Sequence, residues 1–315
     1  MKIALITPVS AQSRSGNRNT AVRWARFMRA AGHRVSIKTV WDGADADVMI
    51  ALHARRSHES IARFAARHPR RPLIVALTGT DLYRDIRTDH NAQESLRLAS
   101  QLIVLQDQGT RELAPALRRK TRVIYQSVTP VAPQAPITRW FEICVAGHLR
   151  GEKDPFRAAA ALHYLPPQST ARVIHLGRAL DTAMADEARQ WMTLEPRYTW
   201  LGERPHWQTL RRLAHARIMV ISSRMEGGAN VVGEALAAGV PIIASRIPGN
   251  VGMLGGDYAG YFPVTNERAL ARLLWRAESD AEYYRLLKKQ CHARKPLVSP
   301  ARERAALKRL LADVG

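Results

Sequence analysis

At 315 residues the chain is too long for one ordinary core and suits two domains. With 46% hydrophobic residues it is globular and not disordered, and its two cysteines, Cys144 and Cys291, stand outside any Cys-x-x-Cys pair or Cys/His cluster, which fits a reducing cytoplasm. Lys and Arg number 48 against 27 Asp and Glu, a net charge of +21, so the partners to expect carry negative charge: anionic substrates, an anionic membrane surface or nucleic acid.

Strand-like and helix-like runs alternate from the start. Met1 to Ala11 mimics a signal peptide, but its apolar run is short and Pro8 interrupts it, so Ile3 to Thr7 reads as a first strand. The spacing predicts a helix over Asn19 to Ala31, closed by Gly32. Val35 to Val40, Val48 to Leu52 and Leu73 to Leu77 are further strands, and Ile103 to Leu105 and Arg122 to Tyr125 complete a first sheet. Thr129 to Pro136 holds three prolines and can keep neither helix nor ladder, which makes 129–140 the expected linker. A second series of strands runs through Phe141 to Ala146, Arg172 to Leu176, Tyr198 to Leu201, Ile218 to Ile221 and Pro241 to Ala244. The tail from 296 to 315 has helical periodicity over Ala301 to Val314 and is expected to pack back on the first domain. The fold class is therefore α/β: two Rossmann-like, doubly wound parallel sheets, over 1–128 and 141–295, facing a cleft. No apolar run is long enough to cross a bilayer.

The richest chemistry lies in the run from Ser222 to Pro241, a loop and small-residue helix between two strands. Gly227 and Gly228 precede the helix, whose unpaired N–H groups, through Ala229, Asn230 and Val231, and whose dipole favour a phosphate. Glu226 stands in the loop before the helix and Glu234 inside it, about two turns along. Carboxylates accept bidentate hydrogen bonds from vicinal diols, so the first suits a sugar hydroxyl and the second a ribose.

Other groups line strand ends. Gly147-His148-Leu149-Arg150-Gly151-Glu152-Lys153 places cations after the first strand of the second domain, fit to oppose an anion. Gly202-Glu203 follows another strand. In the first domain, Gly16-Asn17-Arg18-Asn19 precedes a helix that Asn19 can cap. Leu52-His53-Ala54-Arg55-Arg56-Ser57 puts two guanidinium groups beside a helix N-terminus, fit for a phosphate-like anion. Thr78-Gly79-Thr80-Asp81 follows a third strand. Asp45-Ala46-Asp47 precedes a strand and reads as a polar turn, so no metal is expected.

These residues together resemble the retaining glycosyltransferase family 4, which has the GT-B fold. Glu226 and Glu234 fall on the family's paired glutamates, with the preceding Ser-Ser and the Glu-Ala-x-Ala-x-Gly-x-Pro tail. Lys153 falls on the Lys of the family's Gly-Arg-Leu-x-x-x-Lys segment; its Arg position holds His148, with Arg150 displaced by two. Thr78 stands where many members have the His of His-Gly-Thr-Asp. The resemblance implies a donor side formed by Gly16, His148, Gly202, Glu203, Gly227, Gly228, Ala229, Asn230, Val231 and Glu234. It implies a catalytic group of Glu226, Lys153 and Arg150, and an acceptor side of Asn17, Arg18, His53, Arg55, Arg56, Ser57, Thr78, Thr80 and Asp81. No cofactor or metal is implied.

Several stretches resemble one subgroup of that family, the SenB-type selenosugar synthases of selenoneine biosynthesis. They are Gly-Asn-Arg-Asn-Thr-Ala from Gly16, Leu-His-Ala-Arg-Arg-Ser from Leu52, Leu-Thr-Gly-Thr-Asp-Leu-Tyr from Leu77, the segment from Ala146 to Arg157, and Arg-Met-Glu-Gly-Gly-Ala-Asn-Val from Arg224. This implies a UDP-sugar donor, UDP-N-acetylglucosamine first, and selenophosphate as partner, in a cytoplasmic enzyme without nucleic acid or stable membrane insertion. Two alternatives remain: transfer to a lipid or carbohydrate hydroxyl, and a non-catalytic nucleic-acid-binding protein of GT-B-like fold.

Overall fold

The computed structural model describes residues 1–12, 16–129 and 134–314. The chain divides into two compact units, one of Met1–Ser127, Glu226–Gly228 and Ser299–Gly315, the other of Val128–Met225 and Ala229–Val298. Of the expected linker, 130–133 lie outside the described residues, and the rest belongs to the second unit.

The first unit runs β1 (Lys2–Ile6), α1 (Gly16–Ala30), β2 (Arg34–Lys38), β3 (Val48–Leu52), α2 (His58–Arg67), β4 (Leu73–Leu77), α3 (Ile86–Thr88), α4 (His90–Leu98), β5 (Gln101–Val104), α5 (Pro115–Arg118) and β6 (Thr121–Val123). Its strands pair in parallel in the order β2-β1-β3-β4-β5-β6. Every residue of β3 and β4 is buried, which is why these strands are continuous apolar runs and not alternating ones. Along β1 the pleat sends Ile3 and Leu5 to one core with Trp24 and Met28 of α1. It sends Ala4 and Ile6 to another with Ile61, Phe64 and Leu96 of α2 and α4.

The second unit runs β7 (Glu142–Ala146), α6 (Arg157–Leu162), β8 (Arg172–Leu176), α7 (Thr182–Leu194), β9 (Tyr198–Trp200), α8 (His206–His215), β10 (Ile218–Ile221), α9 (Asn230–Ala238), β11 (Ile242–Ser245), α10 (Pro248–Leu254), β12 (Tyr261–Phe262), α11 (Glu267–Ser279) and α12 (Ala281–Arg294). Its order is β12-β11-β10-β7-β8-β9, again parallel. The short edge strand β12 was not expected from the sequence; two residues are too few to show a period.

The last helix, α13 (Pro300–Ala312), belongs to the first unit, where Leu307, Leu310 and Leu311 join the core on the α1 side. Its Glu303 is buried and accepts from Arg23 Nε and Nη2 at 2.9 and 3.2 Å, from Trp24 Nε1 at 2.7 Å, and from the amide of Ser127 at 2.9 Å. The Ser127 hydroxyl also donates to it. A buried carboxylate is tolerable only with such a full set of donors.

Strand ends lie within two residues of expectation, and the start of α1 departs further. α1 begins at Gly16, three residues early, so Gly16, Asn17 and Arg18 form its first turn and Asn19 is helical, not a cap. Among the described residues no helix is long and apolar enough to cross a membrane.

Candidate active site

In the second sheet the chain order reverses between β7 and β10, so the loops leaving those strands border the place where doubly wound sheets take ligands. The β7 loop carries Gly147, His148, Arg150 and Lys153. Two groups from β8 fix its start. His175 is buried; its Nε2–H donates to the Gly147 carbonyl at 3.2 Å, and its Nδ1 accepts from the Tyr198 hydroxyl at 3.0 Å. Burial lowers the imidazole to about 4, so it stays neutral in that tautomer. Gly177 has φ +154°, and a Cβ there would lie 1.8 Å from the Gly147 oxygen, so only glycine fits.

His148 accepts the amide proton of Arg178 on Nδ1 at 3.1 Å, which leaves the proton on Nε2. Burial lowers its pKa ahead of any neighbouring charge, so this position offers a neutral donor. Arg150 is exposed two residues on. Lys153 ends a tight turn, Gly151–Lys153, that is stitched to the β10 loop. Ser222 Oγ donates to the carbonyls of Lys153 and Asp154 at 3.1 and 2.8 Å, and the Arg224 amide to that of Glu152 at 2.8 Å.

The β10 loop leads into α9, which begins at Asn230 with Ala229 before it. The amides of Asn230 and Val231 have no protein partner among the described residues and sit at the positive end of the helix dipole. Glu234 is the fifth residue of α9, so it lies about one turn along, not two. It is largely buried and accepts from Nε2 of His206, the first residue of α8, at 2.9 Å. That hydrogen bond raises the His206 pKa. Gly202, at φ +70°, accepts from the Gly177 amide at 2.9 Å, and Glu203 is exposed beside it.

The first sheet reverses between β1 and β3. After β3, His53 takes φ +74°, a left-handed conformation rare for a side-chain-bearing residue. Asp81 is wholly buried and accepts the amides of Thr78 and Gly79 on Oδ1, at 2.9 and 2.8 Å, and of Ala54 on Oδ2 at 3.0 Å. Its oxygens are used in tying the β3 and β4 loops together, so it shapes these loops without being able to touch a ligand. Ser57 is likewise buried, its hydroxyl given to the Leu52 carbonyl at 2.7 Å. Arg55 pairs with Asp85 at 2.9 Å. Arg56 is exposed and Arg18 half-buried, and neither has an ion pair among the described residues. Of the two guanidinium groups expected beside the α2 start, Arg55 is thus engaged by Asp85. Thr80 and Asn17 are half-buried.

Glu226 is buried, and with Gly227 and Gly228 it packs as part of this unit. A Cβ on Gly227 would lie 2.3 Å from the Thr78 oxygen, and one on Gly228 2.8 Å from Leu105 Cβ. The glycine pair thus serves close backbone approach. Burial raises the pKa of Tyr83, and the charges of Glu112 and Glu226 raise it further, which places a phenol within electrostatic reach of Glu226. Asp45 is paired with Lys2 and Arg71 at 2.9 and 2.6 Å, and Asp47 accepts the Lys2 amide at 2.7 Å. Among the described residues no three His, Cys, Asp or Glu cluster to hold a metal ion.

Sequence reading missed His206, His175 and Tyr83. A lone histidine in a helix or strand carries no spacing signal; only the bonds of His206 to Glu234 and of His175 to Gly147 tie the two histidines to these loops.

Residues 134–294, just over half of the chain, match the family model of the glycosyl transferases group 1. Comparison with curated protein sequences gives no significant match. Among solved structures, Anabaena HepE in complex with UDP-glucose is similar at TM-score 0.76 and 16% identity, over 99% of this chain and 98% of that one. Sucrose-phosphate synthase from Thermosynechococcus elongatus is similar at TM-score 0.77 and 17% identity, over 99% and 98%. TarM of S. aureus, in a complex with alpha-GlcNAc-glycerol and UDP, is similar at 0.65 and 13% over 85% of this chain and 55% of that one. The two parallel six-stranded sheets are those of a GT-B protein, and the chain belongs to the family of glycosyl transferases group 1.

Proposed function

We propose that this glycosyltransferase moves a sugar from a UDP-sugar, UDP-N-acetylglucosamine first among them, to selenophosphate. The observation that carries the donor half is the α9 start at the sheet reversal: two open amides, then a carboxylate one turn on and already oriented by His206. The amides and Lys153 oppose the diphosphate, and Glu234 accepts the ribose diol. Glu226 accepts from a sugar hydroxyl. HepE and TarM, each solved with UDP or a UDP-sugar, support a uridine nucleotide.

The acceptor half rests on the subgroup resemblance and on the cations Arg18 and Arg56, which have no carboxylate partner among the described residues. The selenium lone pair bonds to the anomeric carbon while the bond from that carbon to the UDP oxygen breaks, and UDP leaves with the electron pair. Water then cleaves the selenium–phosphorus bond to give phosphate and the 1-selenosugar. Selenium is a soft nucleophile and needs no strong base, which suits a site with Thr78 where the resembled family pattern carries His. The reading places the enzyme in the cytoplasm, without nucleic acid, metal or membrane insertion.

The test is mass spectrometry of the protein mixed with several UDP-sugars, with and without selenophosphate. A selenium-bearing sugar formed with stoichiometric UDP supports the reading. Transfer only to added hydroxyl acceptors overturns the acceptor half, and absence of UDP binding overturns the donor half.

A further inference from the structure

We infer that His53 is a positioning residue that forces the Thr80 hydroxyl to donate its proton to the acceptor substrate. This rests on the acceptor half of the function proposed above. The His53 ring has two nitrogens in hydrogen-bond range of partners. Nδ1 receives the amide N–H of Arg56 at 3.3 Å, so Nδ1 is the bare nitrogen and Nε2 carries the hydrogen. Nε2 lies 3.0 Å from Thr80 Oγ1 and therefore donates to it. The hydroxyl, with one lone pair taken, keeps its own hydrogen, which has no other partner among the described residues. Thr80 is half-buried in the loop that leaves the carboxyl end of β4, so that hydrogen is available to a bound oxygen.

The rest of the loop is built to hold this chain of bonds. His53 is buried in a left-handed conformation, and such strain persists only where the surroundings over-determine it. Asp81 lies 3.9 Å from Nδ1 and Asp85 4.0 Å from Nε2, too far to take either bond, while Asp81 clamps the amides of both loops and Asp85 is held by Arg55. Thr80 opens a π-helical turn, Asp81–Asp85, a rare geometry that recurs at functional sites. Burial lowers the His53 pKa ahead of the opposing charges, which keeps the ring in the neutral form the bond pattern requires.

Thr80→Val removes the hydroxyl at nearly constant volume. It is expected to raise the KM for selenophosphate about tenfold or more and to leave that for the UDP-sugar within about twofold; Thr80→Ser should restore most of the loss. His53→Asn, which tolerates the left-handed backbone, should raise the same constant, and should add nothing further in the Thr80→Val background. Additive effects of the two changes, or an unchanged selenophosphate KM in Thr80→Val, overturn the inference. Orthophosphate bound to the UDP-saturated protein, followed by calorimetry, is a probe that needs no turnover: equal phosphate affinity in wild type and Thr80→Val also overturns it. A wild-type protein that fails to bind UDP instead overturns the donor assignment, and the phosphate comparison, made without UDP, still decides the role of Thr80.

Discussion

Glu234 Oε1 accepts a hydrogen bond from His206 Nε2 at 2.9 Å, so the carboxylate assigned to the ribose is oriented before any nucleotide arrives. A carboxylate has about four lone-pair sites, and the pairing with His206 leaves room for a diol. Glu234→Ala is expected to weaken UDP binding by about 1.5–3 kcal/mol, roughly tenfold to a hundredfold in affinity by calorimetry. Glu226→Ala should keep UDP affinity and lose turnover, because the partner proposed for it is the sugar. Equal UDP affinity for wild type and Glu234→Ala would reject the assignment.

The same pair sets a pH dependence. The His206 pKa is raised in the folded protein by its bond to Glu234. Its contribution to stability is therefore full below the unfolded value of about 6.5 and fades as pH rises through the raised folded value. His206→Ala should lower Tm more at about pH 5.5 than at about pH 8.5. A loss of the same size at both would show that charge on the imidazole is irrelevant.

His175 has the opposite sign. Its folded value falls to about 4 through burial, against 6.5 unfolded. Below about pH 6.5 the unfolded chain takes up a proton that the folded one refuses, so stability falls between pH 6.5 and 4, by about 3 kcal/mol in all. Denaturant unfolding of His175→Gln against wild type checks this: the variant is less stable at neutral pH, and the gap should narrow as the pH drops through that window.

Arg55 and Arg56 are neighbours with different tasks. Arg55 is engaged by Asp85, whereas Arg56 has no ion pair among the described residues. Arg56→Ala and Arg18→Ala should each raise the KM for the anionic acceptor about tenfold to a hundredfold, at nearly unchanged KM for the UDP-sugar. Loss of UDP-sugar affinity alone in both variants would assign these arginines to the donor.

Much of the scaffold was legible because buried parallel strands are unmixed apolar runs: Val48–Leu52, Leu73–Leu77 and Ile218–Ile221 stand where their sequences placed them, and so does Arg172–Leu176 although Arg172 and His175 interrupt its apolar run. Helix starts were less so. Gly16 and Asn17 are poor helix formers by propensity, yet they lie in α1, whose later residues Trp24 and Met28 are fixed in the core. In the site, residue types pointed to anion chemistry, but types do not say which polar groups the fold itself consumes. Asp81 and Ser57 looked available in sequence and are spent on backbone amides and a carbonyl. Lone His206 and His175 looked uninformative and hold Glu234 and the Gly147 turn.

Glu303 accepts from Arg23 and Trp24 in α1 and from Ser127. Glu303→Ala leaves these donors buried without an acceptor, and should cost about 3–5 kcal/mol in denaturant unfolding. A cost under about 1 kcal/mol would mean that solvent replaces the carboxylate.

Arg23 and Glu303 are 280 positions apart in the chain. During synthesis the ribosome has therefore made the whole second unit before the residue that closes the first one emerges. Until then the α1 face that receives Leu307, Leu310 and Leu311 lacks its partner helix and is expected to stay exposed. So long a loop closure also slows refolding from denaturant. Ribosome-stalled chains ending before Pro300 should expose this apolar face to chaperones, and a chain released with α13 should cover it.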